Sequence, residues 1–118
     1  MNFGTKVYGT MGGLSNLTYS SNGKYLFGSG SDGKISTFDI NTLKELHKNE
    51  HHNKEIYTLD ICNNMLVTGG SDHTACIYTI NDESGILTFD YYATRIDSNI
   101  YASSFSKDGK FVAISGED

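Results

Sequence analysis

Cysteine is scarce: Cys62 and Cys76 are the only two in 118 residues, too few for a disulfide framework. Both stand at strand-like positions, where an unpaired thiol behaves as a small buried hydrophobe, so the composition points to a reducing compartment. Apolar runs are short. None approaches the roughly 18 residues that a bilayer-spanning helix needs, and Met1 to Lys6 lacks the charged-then-apolar layout of a secretory signal. Basic residues are outnumbered, 9 against 14 acids, for a net charge of −5. Nucleic-acid binding leaves a basic patch or stripe, and the densest basic stretch, Lys44 to Lys54, is diluted by Glu45, Glu50 and Glu55. The composition predicts a soluble intracellular chain that touches neither membrane nor nucleic acid directly.

The signatures of catalysis are missing too. There is no nucleophile elbow and no His-Glu-x-x-His. Gly28 to Gly33 contains G-x-G, but a phosphate loop opens a helix after a strand, and here a strand follows. His47, His51 and His52 cluster in sequence, yet a zinc site wants four ligands held in a tetrahedron. Cys62 and Cys76 follow 10 and 24 residues after His52 without a matching pair, and adjacent His51 and His52 point different ways on an extended backbone. These observations predict solvated loop histidines, no metal, no cofactor and no enzyme.

What is present is a repeat. Ser31-Asp32-Gly33 reads as a tight turn feeding a short strand that ends in Phe38-Asp39. Forty residues on, Ser71-Asp72-His73 leads into Thr74 to Ile80, with Tyr78 where Phe38 stood. A third copy begins at Gly116-Glu117-Asp118. Between the first and third copies, Tyr19 and Phe105, Gly23 and Gly109, Tyr25 and Phe111, and Asp32 and Asp118 are all 86 residues apart. Asp32 to Asp72 is 40 and Asp72 to Asp118 is 46, so the middle copy is shortened on one side and lengthened on the other. The mean, near 43, falls within the roughly 40–45 residues of a four-stranded propeller blade, and no 3.6-residue apolar rhythm of a helical repeat competes with it.

Local signals agree. Asn22-Gly23 and Asp108-Gly109 sit between apolar runs, the pattern of a type I′ hairpin with positive φ at both central residues. Small residues end each following run, at Gly28-Ser29-Gly30, Gly69-Gly70 and Ser115-Gly116, and permit close backbone approach. The expected strands are 14–19, 25–30, 34–40 and 43–47, then 56–61, 65–70, 74–80 and 86–93, then 100–106 and 110–115, with a loop over 48–54 and a turn at Cys62-Asn63-Asn64. The fold class is all-β: about two and a half blades, with blade one over about 12–47, blade two over about 54–93 and the start of blade three over about 99–118.

Strand, turn, Ser-Asp-Gly, strand and aromatic-Asp at this period resemble the WD-repeat family of β-propellers. Phe38 and Tyr78 take the tryptophan position, and the following Asp is kept as Asp39. The Gly-His pair is eroded: His52 stands in place without its Gly, and Thr10 follows Gly9 in the first copy. The resemblance implies that Asp32, Gly33, Phe38, Asp39, His52, Asp72, Tyr78 and Asp118 are structural blade positions, and that His52 reaches Asp72. It also implies that the N-terminal segment, Lys6 to Tyr8, supplies the outer strand of a last blade. A ring of 4–8 blades exceeds this length, so a truncated product is expected, poorly soluble or self-associated because open strand edges and blade faces template aggregation.

A narrower resemblance rests on the early first blade, the degenerate second blade and Gly85-Ile86-Leu87-Thr88 entering its outer strand. Together with Ser31-Asp32-Gly33 these look like the replisome-adaptor family, the WD-repeat and HMG-box DNA-binding proteins. That likeness implies a nuclear, non-catalytic protein–protein interaction scaffold linking the replicative helicase to the primase-polymerase, with other replisome proteins as partners. The family's second propeller and HMG box would lie beyond residue 118. The alternative within the class is an adaptor in a ubiquitin ligase or a trafficking complex, and outside it a metal-binding or enzymatic domain. Tyr8, Tyr91, Tyr92 and Tyr101 are candidate contact residues, because tyrosine is enriched at interface hot spots.

Overall fold

The computed structural model describes residues 14–50, 52 and 54–117, and among them every regular element is a strand. Ten strands run in order: β1 Leu14–Tyr19, β2 Tyr25–Gly30, β3 Ile35–Asp39, β4 Glu45–Asn49, β5 Ile56–Cys62, β6 Met65–Gly70, β7 Thr74–Ile80, β8 Leu87–Arg95, β9 Ile100–Phe105 and β10 Val112–Gly116. They form two antiparallel four-stranded meanders, β1-β2-β3-β4 and β5-β6-β7-β8, and a two-stranded piece, β9-β10. The innermost strands β1, β5 and β9 lie side by side, so the sheets stand against one another face to face. This is a partial β-propeller.

The core lies between the first two sheets. Tyr25, Phe27 and Ile35 of one meet Ile56, Leu66, Cys76, Tyr78, Ile80 and Leu87 of the other, with Leu59, Ile61 and Phe89 packed against them. Burying one side chain such as Phe27, which is fully enclosed, contributes about 1.5–3 kcal/mol. Middle strands β2 and β3 are buried on both faces, which is why they read as apolar or small residues with no polar alternation.

The repeat is visible in the turns as well as the strands. After β1, the Ser20 hydroxyl donates to Asn22 Oδ1 at 2.6 Å while Oδ1 accepts the Lys24 N–H at 3.0 Å, and the Tyr25 N–H donates to Ser20 Oγ at 3.0 Å. After β9, Ser106, Asp108, Lys110 and Phe111 make the same three bonds at 2.7, 3.0 and 3.0 Å. These turns are not type I′. Within them only Gly23 and Gly109 have positive φ, because the Asn or Asp side chain closes the loop itself without needing positive φ at its own position. In the second sheet the equivalent turn is Asn63-Asn64 alone, with Cys62 and Met65 paired across it. Cys62 is thus a strand residue rather than a turn residue.

Two other expectations shift. The outer strand begins at Glu45, not Leu43, because Leu43 sits in the preceding turn at φ +60°, and it runs on to Asn49, two residues into the expected loop. The outer strand of the second sheet, expected at 86–93, runs from Leu87 to Arg95, whereas β7 keeps its expected bounds. Asp39 closes the loop after β3 by accepting the Asn41 and Thr42 N–H groups at 2.8 and 3.0 Å. Asn81 does so after β7 for Glu83 and Ser84, at 2.9 and 3.1 Å. Asn81 is therefore the counterpart of Asp39, even though Tyr78 is the counterpart of Phe38, each pairing with a leucine, Leu66 and Leu26. Two extra residues, Thr79 and Ile80, lengthen the second hairpin. The expected outer strand at Lys6 to Tyr8, His51 and Asp118 all lie outside the described residues.

Candidate functional site

The turn from β6 to β7 holds the most heavily bonded polar cluster. Asp72 Oδ1 accepts from the Thr74 N–H at 3.3 Å and the Thr74 hydroxyl at 2.8 Å, an Asp turn of the kind that short acidic side chains favour. His52, whose side chain is fully enclosed, comes in from the connection between the first two sheets. Its Nδ1 lies 3.0 and 2.8 Å from the two Asp72 oxygens. A carboxylate only accepts, so Nδ1 carries a proton and donates to Asp72, while Nε2 lies 2.6 Å from the Thr68 hydroxyl. Burial opposes ionisation of Asp72, but the bonds from His52 and Thr74 outweigh it and hold the carboxyl below its ordinary range.

Thr68 extends this network into the core beside Cys76 and Tyr78. Burial pushes the Cys76 thiol up to about 11, so it stays protonated and unreactive at neutral pH. Burial likewise raises the Tyr78 hydroxyl, whose ring meets Phe89 edge-on at 5.9 Å. Among the described residues the first sheet has the turn without the network: there Asp32 accepts the Lys34 N–H at 3.0 Å, Gly28 stands where Thr68 would be and Phe38 where Tyr78 would be. Sequence reading singled out His52, Asp72 and Tyr78 but missed Thr68, whose place is marked only by lying two residues before Gly70.

Gly33 and His73 occupy the same left-handed turn position, at φ +76° and +67°. Gly33 also abuts the connection: a Cβ there would sit 2.5 Å from the Lys54 carbonyl oxygen and 2.9 Å from that of His52. The turn of the first sheet thereby seats the segment that delivers His52 to the second.

A second cluster joins the sheets at the opposite end. In the loop between β7 and β8, four successive carbonyls each accept from a side chain of the first sheet. Asp82 is met by Asn22 at 3.0 Å, Glu83 by the Tyr25 hydroxyl, Ser84 by His47 Nε2 at 3.0 Å and Gly85 by Thr37 at 3.3 Å. Gly85 has φ +74°, and a Cβ there would meet the Tyr25 ring at 2.8 Å. His47 is thus half-buried against a carbonyl at one end of the sheets and His52 is enclosed at the other, so the two do not converge. Of the candidate contact tyrosines, Tyr91 and Tyr92 are 57% and 42% exposed on β8 and Tyr101 is 46% exposed on β9. Tyr8 lies outside the described residues. Arg95 covers the Tyr92 ring at 4.3 Å.

Successive four-stranded meanders side by side through their inner strands, with a His-Asp bond bracing one second turn, are blades of a β-propeller. The family model described as "WD40: WD domain, G-beta repeat" matches residues 4–39 and 43–79, more than half of the chain. The chain belongs to the WD40 repeat family. It is 27% identical over 111 residues to Minichromosome loss protein 1 of Schizosaccharomyces pombe, spanning 94% of this chain but 13% of that protein. Among solved structures it is similar to the β-propeller domain of Cps50 (Swd1) from Myceliophteria thermophila, with a TM-score of 0.80 and 17% identity over 88% of this chain and 36% of that one. It is also similar to a chain of the mitotic checkpoint complex, with a TM-score of 0.76 and 14% identity over 88% of this chain and 32% of the other. At these identities the structural likenesses speak to the fold.

Proposed function

We propose that this chain contributes to a non-catalytic protein–protein interaction scaffold in chromosome maintenance, a nuclear adaptor between the replicative helicase and polymerase. The observation that supports it is the sequence match to Minichromosome loss protein 1 across 94% of the chain, joined to the likeness of the Gly85-Ile86-Leu87-Thr88 stretch to replisome adaptors. In the structure this stretch enters β8 from the loop whose carbonyls are bonded by the first sheet. The polar cluster at His52 fits a structural role, because its ring is enclosed and both ring nitrogens are bonded within the blade. It braces the blade and has no access to a substrate. The eight blade positions named from the sequence are proposed in the same role.

The test is co-purification of the tagged chain, expressed from its own locus, followed by identification of bound proteins. The expected partners are helicase and primase-polymerase subunits, enriched during replication. Recovery of ubiquitin-ligase or trafficking subunits instead would reassign the adaptor, and recovery of no specific partner would overturn the scaffold reading.

A further inference from the structure

We propose that Tyr57 and Tyr101, flanked by Glu55 and Glu117, form a docking site for a cationic side chain, arginine or lysine, of a protein partner. This rests on the scaffold reading and adds to it a place and a chemistry.

Each inner strand skips one residue in its ladder. Leu14 pairs with Gly30 and Asn16 with Ser29; Ile56 pairs with Gly70 and Thr58 with Gly69; Ile100 pairs with Gly116 and Ala102 with Ser115. The extra residues are therefore 15, 57 and 101, and the outer two stand 86 apart, the spacing of the whole repeat. A bulge leaves its extra residue out of the ladder and re-aims the side chain, which is why bulges recur beside functional sites. In the second and third blades that residue is tyrosine. The two rings meet at 4.9 Å between centroids, tilted by 35°.

The pair is held ready rather than buried. Tyr101 is 46% exposed, yet its hydroxyl donates to Glu117 at 3.0 Å and accepts from Asn99 at 3.1 Å. The Tyr57 hydroxyl is raised in pKa by desolvation and then by the charge of Glu55, with Glu117 contributing, so both carboxylates bear on the ring pair. Among the described residues neither carboxylate enters an ion pair. An aromatic face attracts a cation within about 6 Å of its centroid, and a guanidinium stacked there presents its N–H fork to neighbouring carboxylates. A net charge of −5 favours the approach of such a partner.

The experiment is calorimetric titration of the full chain, at low salt, with acetylated tetra-arginine and with tetra-glutamate as control. Saturable binding of the cationic peptide alone is expected. Tyr101→Leu, which keeps apolar bulk and removes the ring face, weakens binding roughly two- to five-fold. Tyr101→Phe keeps the ring and most of the affinity. Glu117→Gln weakens it, whereas Glu83→Gln, the same charge loss at the opposite end of the sheets, leaves it unchanged. The inference is overturned if the peptide does not bind, if Tyr101→Leu binds as wild type does, or if Glu83→Gln costs as much as Glu117→Gln. Partner recovery in the co-purification is a separate readout. Equal recovery by wild type and Tyr101→Leu overturns this site and leaves the scaffold standing, while no recovery by wild type overturns the scaffold itself.

Discussion

Replacing Thr68 by valine tests whether the His52 network stabilises the second blade. Valine matches threonine in shape, so no cavity opens and the change is confined to one hydroxyl. That hydroxyl lies 2.6 Å from His52 Nε2 at a site with no solvent exposure of either side chain. Removing one partner strands the other, and an unsatisfied buried polar group costs about 1–3 kcal/mol, more than the net value of the bond itself. With a urea dependence of about 1–3 kcal/mol per molar for a small domain, a loss of about 2 kcal/mol moves the midpoint down by roughly 1 M. The assay is urea unfolding followed by circular dichroism, at one fixed protein concentration because association shifts apparent stability. Thr88→Val on exposed β8 is the control and stays within about 0.5 kcal/mol of wild type. If Thr68→Val does the same, the network is an incidental contact and the bracing role falls.

Three further outcomes follow from the same geometry. His73→Gly relieves a left-handed conformation in a non-glycine residue at φ +67° and raises stability by roughly 1 kcal/mol, whereas Gly33→Ala lowers it, since its Cβ would press on the Lys54 carbonyl; paired urea titrations read both signs. The folded-state pKa of Asp72 is depressed, so its contribution is present above the unfolded value, near 3.9, and is lost as pH falls through the lower folded value; Asp72→Asn therefore destabilises at pH 6 and converges on wild type as the pH is lowered past that folded value, in melts recorded down the acid range. Leu17 and Tyr19, 53% and 65% exposed, occupy the β1 positions equivalent to Leu59 and Ile61 of β5, which pack on the core. The isolated chain is thus expected to self-associate, and Leu17→Lys with Tyr19→Lys to reduce this in light scattering; a reversible melt as a wild-type monomer contradicts it.

The fold was legible because it is written twice. The 86-residue register that aligned Tyr19 with Phe105 and Gly23 with Gly109 also aligns the hydrogen bonds of their turns, so periodicity and structure read the same signal. What escaped detection depends on side chains acting locally or across sheets. Asn22 and Asp108 close their own loops, which no count of turn residues distinguishes from a type I′ hairpin. Leu43 fills a left-handed position that Gly85 fills in the next blade, and a leucine gives no warning of positive φ. Thr79 and Ile80 are ordinary strand residues, so their insertion left no mark until Asn81 was seen in the role of Asp39. Thr68 and Tyr57 were missed for a related reason: a buried hydroxyl and a bulge are defined by what they face, and neither has a sequence signature. The His52–Asp72 contact, in contrast, was implied by the resemblance to WD repeats, and spacing alone would not have given it.

The central claim is that β5 and β9 are neighbouring inner strands of successive blades. It is tested most directly by joining them. Thr58 and Ser103 bring their hydroxyl oxygens within 2.9 Å across that boundary, so a Thr58→Cys, Ser103→Cys pair, with Cys62 and Cys76 changed to Ser, is expected to form an intramolecular disulfide on mild oxidation in native buffer and not in denaturant. Failure to cross-link when native, or cross-links only between molecules, would contradict the arrangement of blades on which the account stands.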